Sequence, residues 1–318
     1  MARLSLASGR LSVEVEVPDA WAGRLRRARR SLRRGAHGRG SVSAEGLVFR
    51  PPPELHVERR DASEALPLVE ELLGAGRNGG DTPSNDLAAA VASRFWYHTI
   101  ELPGGVVTPG YFDHRALVSR YGLPGRLDGQ RVLDVAAFDG FWTFELEARG
   151  ADVLALDVPR LLDCDLPGPV RDALARAGLD HDTGAGFALA KEALGSRALR
   201  KTGSVYDLDA ADVGTFDLVH LADLLVHLEA PLAALRAIRR VTRGRALIAD
   251  CFDPNIRSGH LRYHGGWRGF TWWVPSLDAL AQMVLDAGFS DVSVHTVYSL
   301  PYRGASVGPW RACLVAKV

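Results

Sequence analysis

Hydrophobic and polar positions follow two different rhythms along this chain. From Arg3 to Pro18 apolar and polar residues alternate through RLSLASGRLSVEVEVP, with Ser8-Gly9 between the runs, which predicts a small hairpin. From residue 131 onward, short unbroken apolar runs alternate with amphipathic stretches of helical spacing, as buried parallel strands and covering helices require. Strands are predicted at 131–135, 152–156, 202–205, 216–221, 245–250, 291–297 and 311–317. Helices are predicted at 140–149, about 168–178, 186–199, 229–241 and 276–287, with Ser276 as an N-cap and Gly288 as a stop. The whole reads as a doubly wound α/β sheet.

Between these regimes the pattern predicts a helix over 21–34, a strand over 45–50, a break at the prolines 51–53 and a helix over 67–74. The stretch GAGRNGGDTPS, residues 74–84, is the most linker-like in the chain. It divides an N-terminal α+β appendage, 1–80, from a main domain, 81–318, whose first helix begins at Asp86.

Composition narrows the classes. With 318 residues and 47% hydrophobic content the chain can bury a large core. Basic and acidic residues balance at 38 each, so no global field recruits nucleic acid or an anionic membrane. Only Lys191, Lys201 and Lys317 are lysines, an arginine bias typical of high-GC bacterial proteins. The arginine-dense helix over 21–34 could grip a phosphate, a carrier protein or RNA, but a solvated face in an arginine-rich chain is the favoured reading. Cys164, Cys251 and Cys313 have neither zinc nor disulfide spacing, which fits a reducing cytoplasm, and no metal site is expected. No apolar run reaches membrane-span length, and the N-terminus lacks the apolar core of a signal peptide.

The chemistry concentrates first in RVLDVAAFDGFWTFELEARGADVLALDV. Asp134 and Asp157 end successive strands at the spacing of a strand–helix–strand unit, so the second carboxylate returns beside the first turn, where it can accept bonds from two ribose hydroxyls. Dinucleotide folds use three glycines to let amides approach a pyrophosphate, whereas Ala136, Phe138 and Gly140 leave one. A ribose without a phosphate, as in S-adenosylmethionine, suits the turn better.

At these residues the chain resembles the class I S-adenosylmethionine-dependent methyltransferases. The aromatic blocks RFWYHTI and GGVVTPGYFDHR, within 94–115, and the block FDLVHLADLLVHLEAP, from Phe216 to Pro231, are similar to the tRNA wobble-uridine (carboxy)methyltransferase-like group and its small-molecule relatives. The resemblance spans roughly 94–298 and implies a Rossmann-like seven-stranded sheet whose last strand inserts antiparallel. It implies S-adenosylmethionine as cofactor, bordered by Tyr97, Tyr111, Asp134, Ala136, Phe138, Gly140, Asp157, Val158, Ser204, Val205, Tyr206, Leu221 and Ala222. The aromatic lid places rings beside a sulfonium, where their quadrupoles attract a cation.

His227 is the leading general base, with Asp223 and His264 as competitors, since an imidazole takes a proton near neutral pH. Trp96, Trp142, Arg257, Arg262, Tyr263 and Trp267 are expected to border the acceptor, the last four from the long connection after the fifth strand. Val226 precedes His227 where carboxymethyl-transferring enzymes carry a tyrosine, and no lysine stands near the lid. Methyl transfer to a small metabolite, with Arg257 or Arg262 to accommodate an anionic one, is therefore favoured over tRNA modification. A non-catalytic assembly module is the other alternative, motivated by the missing glycines. The N-terminal region, 1–74, could form a homodimer contact or a pocket wall.

Overall fold

The computed structural model describes residues 2–8, 11–17, 86–265 and 270–318. The chain divides into two units, Met1–Glu58 and Arg59–Val318. In the first, β1 (Ala2–Ser8) and β2 (Leu11–Val17) pair antiparallel, from Ala2↔Val17 to Ser8↔Leu11, as the alternating pattern predicts. The helix expected over 21–34, the strand over 45–50, the helix over 67–74 and the linker-like stretch over 74–84 lie outside the described residues.

In the second unit, α1 (Leu87–Ala92) starts where the side chain of Asp86 accepts the amide of Ala88. A two-residue ladder, β3 (Glu101–Leu102) with β4 (Val106–Val107), follows. Then come β5 (Arg131–Val135), α2 (Phe141–Glu147), β6 (Asp152–Asp157), α3 (Gly168–Arg176), α4 (Ala185–Leu194), β7 (Leu199–Thr202), α5 (Ala210–Val213) and β8 (Phe216–Ala222). The chain continues through α6 (Pro231–Val241), β9 (Thr242–Phe252), β10 (Leu261–Tyr263), β11 (Trp273–Pro275), α7 (Leu277–Asp286), β12 (Asp291–Ser299) and β13 (Trp310–Lys317).

Seven strands form one sheet in the order β12-β13-β9-β8-β5-β6-β7. β5, β6, β7, β8 and β9 run parallel, while β13 inserts antiparallel between β9 and β12, giving a Rossmann-like mixed sheet. Because side chains alternate across a strand, the core splits in two. Val132, Val153, Leu218 and Leu247 face α2 and the segment before the sheet, packing with Trp96, Tyr121, Phe141 and Trp142. Leu133, Val219, Ala246 and Ile248 face α6 and α7, packing with Leu235, Ile238, Leu280 and Val284.

One predicted strand is misplaced. β7 occupies Leu199–Thr202 instead of 202–205, because α4 stops at Leu194 where Gly195 turns left-handed at φ +62°. The strand therefore begins earlier, and 203–207 becomes the loop at its carboxyl end. The long connection expected after β9 carries a hairpin arm, β10 paired with β11 from Leu261↔Pro275 to Tyr263↔Trp273, and residues 266–269 within it lie outside the described residues.

Candidate active site

The turn after β5 keeps the left-handed backbone of a glycine-rich loop with one glycine, Gly140, in it. Ala136, Phe138 and Gly140 take φ +59°, +46° and +91°. For an L-residue that conformation costs about 1–2 kcal/mol, so neighbouring contacts must hold it. The amide of Ala137 donates to Leu156 O (3.2 Å) and that of Phe138 to Asp157 Oδ2 (2.7 Å). Gly140 tolerates no Cβ for a second reason: one would stand 2.6 Å from the Phe144 ring and 2.8 Å from Phe187.

Asp157 ends β6 in a recessed, half-buried position. Its Oδ2 accepts Phe138 N–H and its Oδ1 accepts Val158 N–H, at 2.7 Å each. Burial pushes its carboxyl up to about 6, against these bonds and the charge of Arg200. A carboxylate offers about four acceptor positions; with two occupied by amides, it has room for two hydroxyls. Across the edge lies the loop after β7. There Ser204 caps a 3-10 turn by accepting Tyr206 N–H (3.2 Å), Val205 is buried, and Gly203 N donates to Asp157 O (2.9 Å).

Asp139, which the sequence analysis passes over, ties the aromatic segment to this turn. Its Oδ2 accepts the amides of Tyr97 (2.8 Å) and His98 (2.7 Å), and its Oδ1 accepts His98 Nδ1–H (2.6 Å). The segment then folds on itself, His98 bridging Phe112. Gly110 permits this approach, since a Cβ there would lie 2.1 Å from backbone atoms of His98 and Thr99. The Phe138 ring meets Phe95 and Tyr97 edge-on at 6.0 and 5.9 Å. It thus packs against the aromatic segment from the turn side.

Tyr97 continues the chain of contacts to the end of β8. Its hydroxyl donates to Asp223 Oδ2 (3.3 Å), and Asp223 Oδ1 accepts Arg311 Nε (2.6 Å). Arg311, on β13, is 2% exposed, with its guanidinium 4.6 Å from the Phe112 ring centroid. Burial alone would push the Asp223 carboxyl up, but the Arg311 charge and bond outweigh it and hold it low. An acid kept ionised by a paired guanidinium is a poor proton acceptor. Asp250, at the end of β9, accepts the amides of Leu224 (2.9 Å) and Leu225 (2.6 Å) and so shapes the loop leading to His227. Burial, with Asp223 nearby, pushes its carboxyl up to about 7.

His227 Nδ1 lies 3.0 Å from the carbonyl oxygen of Phe270. A carbonyl only accepts, so the ring proton sits on Nδ1 and the Nε2 lone pair is open to take a proton. Burial pushes this imidazole below its usual value, keeping it neutral.

The remaining sequence-predicted residues scatter. Asp134 is buried within the sheet, its carboxylate accepting Thr143 Oγ1–H (2.5 Å) and His220 Nδ1–H (2.7 Å), while Tyr121 OH donates to His220 Nε2 (3.1 Å). Trp96 and Trp142 are 2% and 3% exposed; the first donates to Val91 O and the second stacks on Tyr121 at 3.9 Å. These positions give core roles to three residues expected at the cofactor or acceptor. Leu221 is likewise core, with Ala222 at the strand end beside Asp223. Tyr111 stacks on Tyr302 at 5.2 Å, and Tyr206 OH donates to Asp165. Arg257 is exposed, Arg262 pairs with Asp253 at 3.2 Å, and Tyr263 is 61% exposed on the Trp273 ring. The His264 amide donates to Trp272 O (2.7 Å) within the hairpin arm. Trp267 lies outside the described residues.

Sequence signals for the missed residues existed. Arg311 stands between Trp310 and the apolar run ACLVA, and Asp250 ends the run ALIAD; an ionisable group at such a place needs a buried partner.

A family described as "Methyltransferase domain" matches residues 111–294. Among solved structures, EvdMO1 is 19% identical with a TM-score of 0.46 over 73% of this chain and 46% of that chain, so this chain spans less than half of that protein. The N-terminal domain of EvdMO1 in the presence of SAH and D-fucose is 20% identical, TM-score 0.44, over 70% and 91%. Magnesium protoporphyrin IX methyltransferase (ChlM) from Synechocystis PCC 6803 with bound SAH is 18% identical, TM-score 0.42, over 64% and 81%. No functionally curated protein matches the chain.

Proposed function

The chain belongs to the methyltransferase-domain family, and from that premise we propose that it transfers a methyl group from S-adenosylmethionine to a hydroxyl of a small-molecule acceptor, with His227 as general base. The observation that carries this reading is the His227–Phe270 bond, which leaves Nε2 as the proton-accepting atom. A neutral, recessed imidazole is what a hydroxyl needs before it attacks; an amine or activated carbon needs no such base at that stage.

The residues around the first turn fit the donor's nucleoside. Asp157 would accept the two ribose hydroxyls at its remaining positions, with the 203–206 loop beside the base. When bound, S-adenosylmethionine supplies a sulfonium-activated methyl. Tyr97 and Phe138 would supply aromatic faces that exclude water and favour a cation, with Phe112, already covered by Arg311, packed against Tyr97. Asp223, neutralised by Arg311, orients the Tyr97 hydroxyl and takes no proton. The retained left-handed turn argues against a collapsed, non-binding module, since the strain at Ala136 and Phe138 would serve no purpose there.

Incubation with methyl-labelled S-adenosylmethionine and extract fractions tests the reading. The expected result is label in a hydroxyl-bearing small-molecule fraction, lost by about 100-fold or more in His227→Ala while S-adenosylhomocysteine affinity is retained. Label in the tRNA or protein fraction, or undiminished transfer by His227→Ala, contradicts it.

A further inference from the structure

The connection from β6 to β7 carries an excursion that is closed at its neck. Arg160 bridges Asp182 antiparallel, Leu161 N donates to His181 O (2.9 Å), and Arg160 Nε pairs with Asp180 Oδ2 (2.5 Å). Beyond the neck, Leu166, Val170, Leu174 and Leu179 form their own small core around α3, separate from the two large ones. Among the described residues, Phe270, from the hairpin arm after β9, packs its side chain against this small core from outside the excursion. The carbonyl of that same residue accepts the His227 Nδ1 proton.

A clasp joins the same parts. The Asp165 carboxylate accepts Tyr206 OH and Glu229 N–H, at 2.6 Å each, and its carbonyl accepts Trp272 Nε1–H at 2.6 Å. Trp272 N in turn donates to Val226 O (2.8 Å), next to His227. Asp165 thus gathers the loops after β7 and β8 and the hairpin arm at one point.

We propose that the α3 excursion and the hairpin arm form one lid, and that its closure sets the His227 tautomer through Phe270, a positioning residue. With the lid shut, the proton is drawn to Nδ1 and Nε2 is a base. With Phe270 withdrawn, no carbonyl holds that proton, and the imidazole returns to the Nε2–H form that water favours, which cannot accept from an acceptor hydroxyl at Nε2. A mini-core of a few side chains behind a narrow neck is the kind of unit that opens without global unfolding. The catalytic meaning rests on the function proposed for His227; the tautomer switch does not.

Nitrogen-15 NMR of the full chain at pH 8 tests it, with the His227 ring signals assigned by their loss in His227→Gln. The wild type is expected to carry the proton on Nδ1. Phe270→Ala, and independently Leu174→Ala on α3, are expected to move it to Nε2, while Phe270→Leu, which keeps the packing, retains Nδ1–H. Backbone amide spectra of the sheet check that each variant is folded, and Asp165→Asn, which loosens only the clasp, serves as a milder variant expected to shift the population the same way. A wild-type proton on Nε2, or an Nδ1–H signal unmoved in folded Phe270→Ala or Leu174→Ala, overturns the proposal. A tautomer switch in a protein that fails to bind S-adenosylhomocysteine would sustain the lid and refute the proposed function.

Discussion

Two side chains in the first turn hold a conformation that glycine would hold more easily, and they need not do so for the same reason. Ala136, at φ +59°, carries only a methyl group with which to offset its strain. Ala136→Gly is expected to raise stability by about 0.5–1 kcal/mol, the excess of left-handed strain over the entropy a glycine adds. In a domain of this size that is a rise in Tm of roughly 1–4 °C, readable by thermal melts. Phe138→Gly relieves similar strain but removes edge-on contacts with Phe95 and Tyr97, worth about 0.5–1.5 kcal/mol each. Its Tm is expected to fall. The sequence shows that glycines are missing here, but not that the backbone keeps their shape, because the amide bonds to Leu156 and Asp157 come from a strand that pairs only in the fold. Asp157 supplies a pH test. Its folded value of about 6 lies above its ordinary 3.8, so the folded state holds that proton more tightly. This group's stabilising effect is full below pH 3.8 and lost as pH rises through 6. Ligand binding runs the other way, since two hydroxyls need the ionised form. Calorimetry should show nucleoside affinity falling as pH drops below 6, and Asp157→Asn should bind weakly with a flat profile.

At the scale of elements, the antiparallel insertion of β13 matters for more than sheet order. It brings Arg311 to the edge where the parallel strands end, opposite Asp223 after β8, and seals the pair under Phe112. Arg311→Met leaves a buried carboxylate without its cation and is expected to cost about 3–5 kcal/mol in chemical denaturation. Adding Asp223→Asn should restore most of that loss; a double variant no more stable than the single one would show that the pair is not the source. Strand order was legible, because each strand is a bounded apolar run and the resemblance supplied the sequence of pairings. The position of β7 was not, because KTGSV has the composition of a strand while the stop at Gly195 lies further back. The hairpin arm after β9 was also hidden: its strands are three residues each, too short to show alternation.

Over the whole molecule, the site is a relay of loops along one edge of the sheet. Asp157 holds the turn, the turn packs on the aromatic segment through Phe138, Tyr97 reaches Asp223, and Asp250 supports the loop of His227. Sequence reading found residues at both ends of this relay because they sit in recognisable motifs. It missed Asp139, Arg311 and Phe270, whose roles arise from contacts between distant segments, and it assigned Trp96, Trp142 and Asp134 outward when burial turns them into core. The central claim is that this edge binds an adenosine-bearing methyl donor. Isothermal titration calorimetry of the full chain with S-adenosylhomocysteine tests it most directly. One molecule bound per chain at low micromolar or tighter affinity, strongly weakened by Asp157→Asn, is the expected result; no heat of binding at high micromolar ligand in the folded wild type would contradict it.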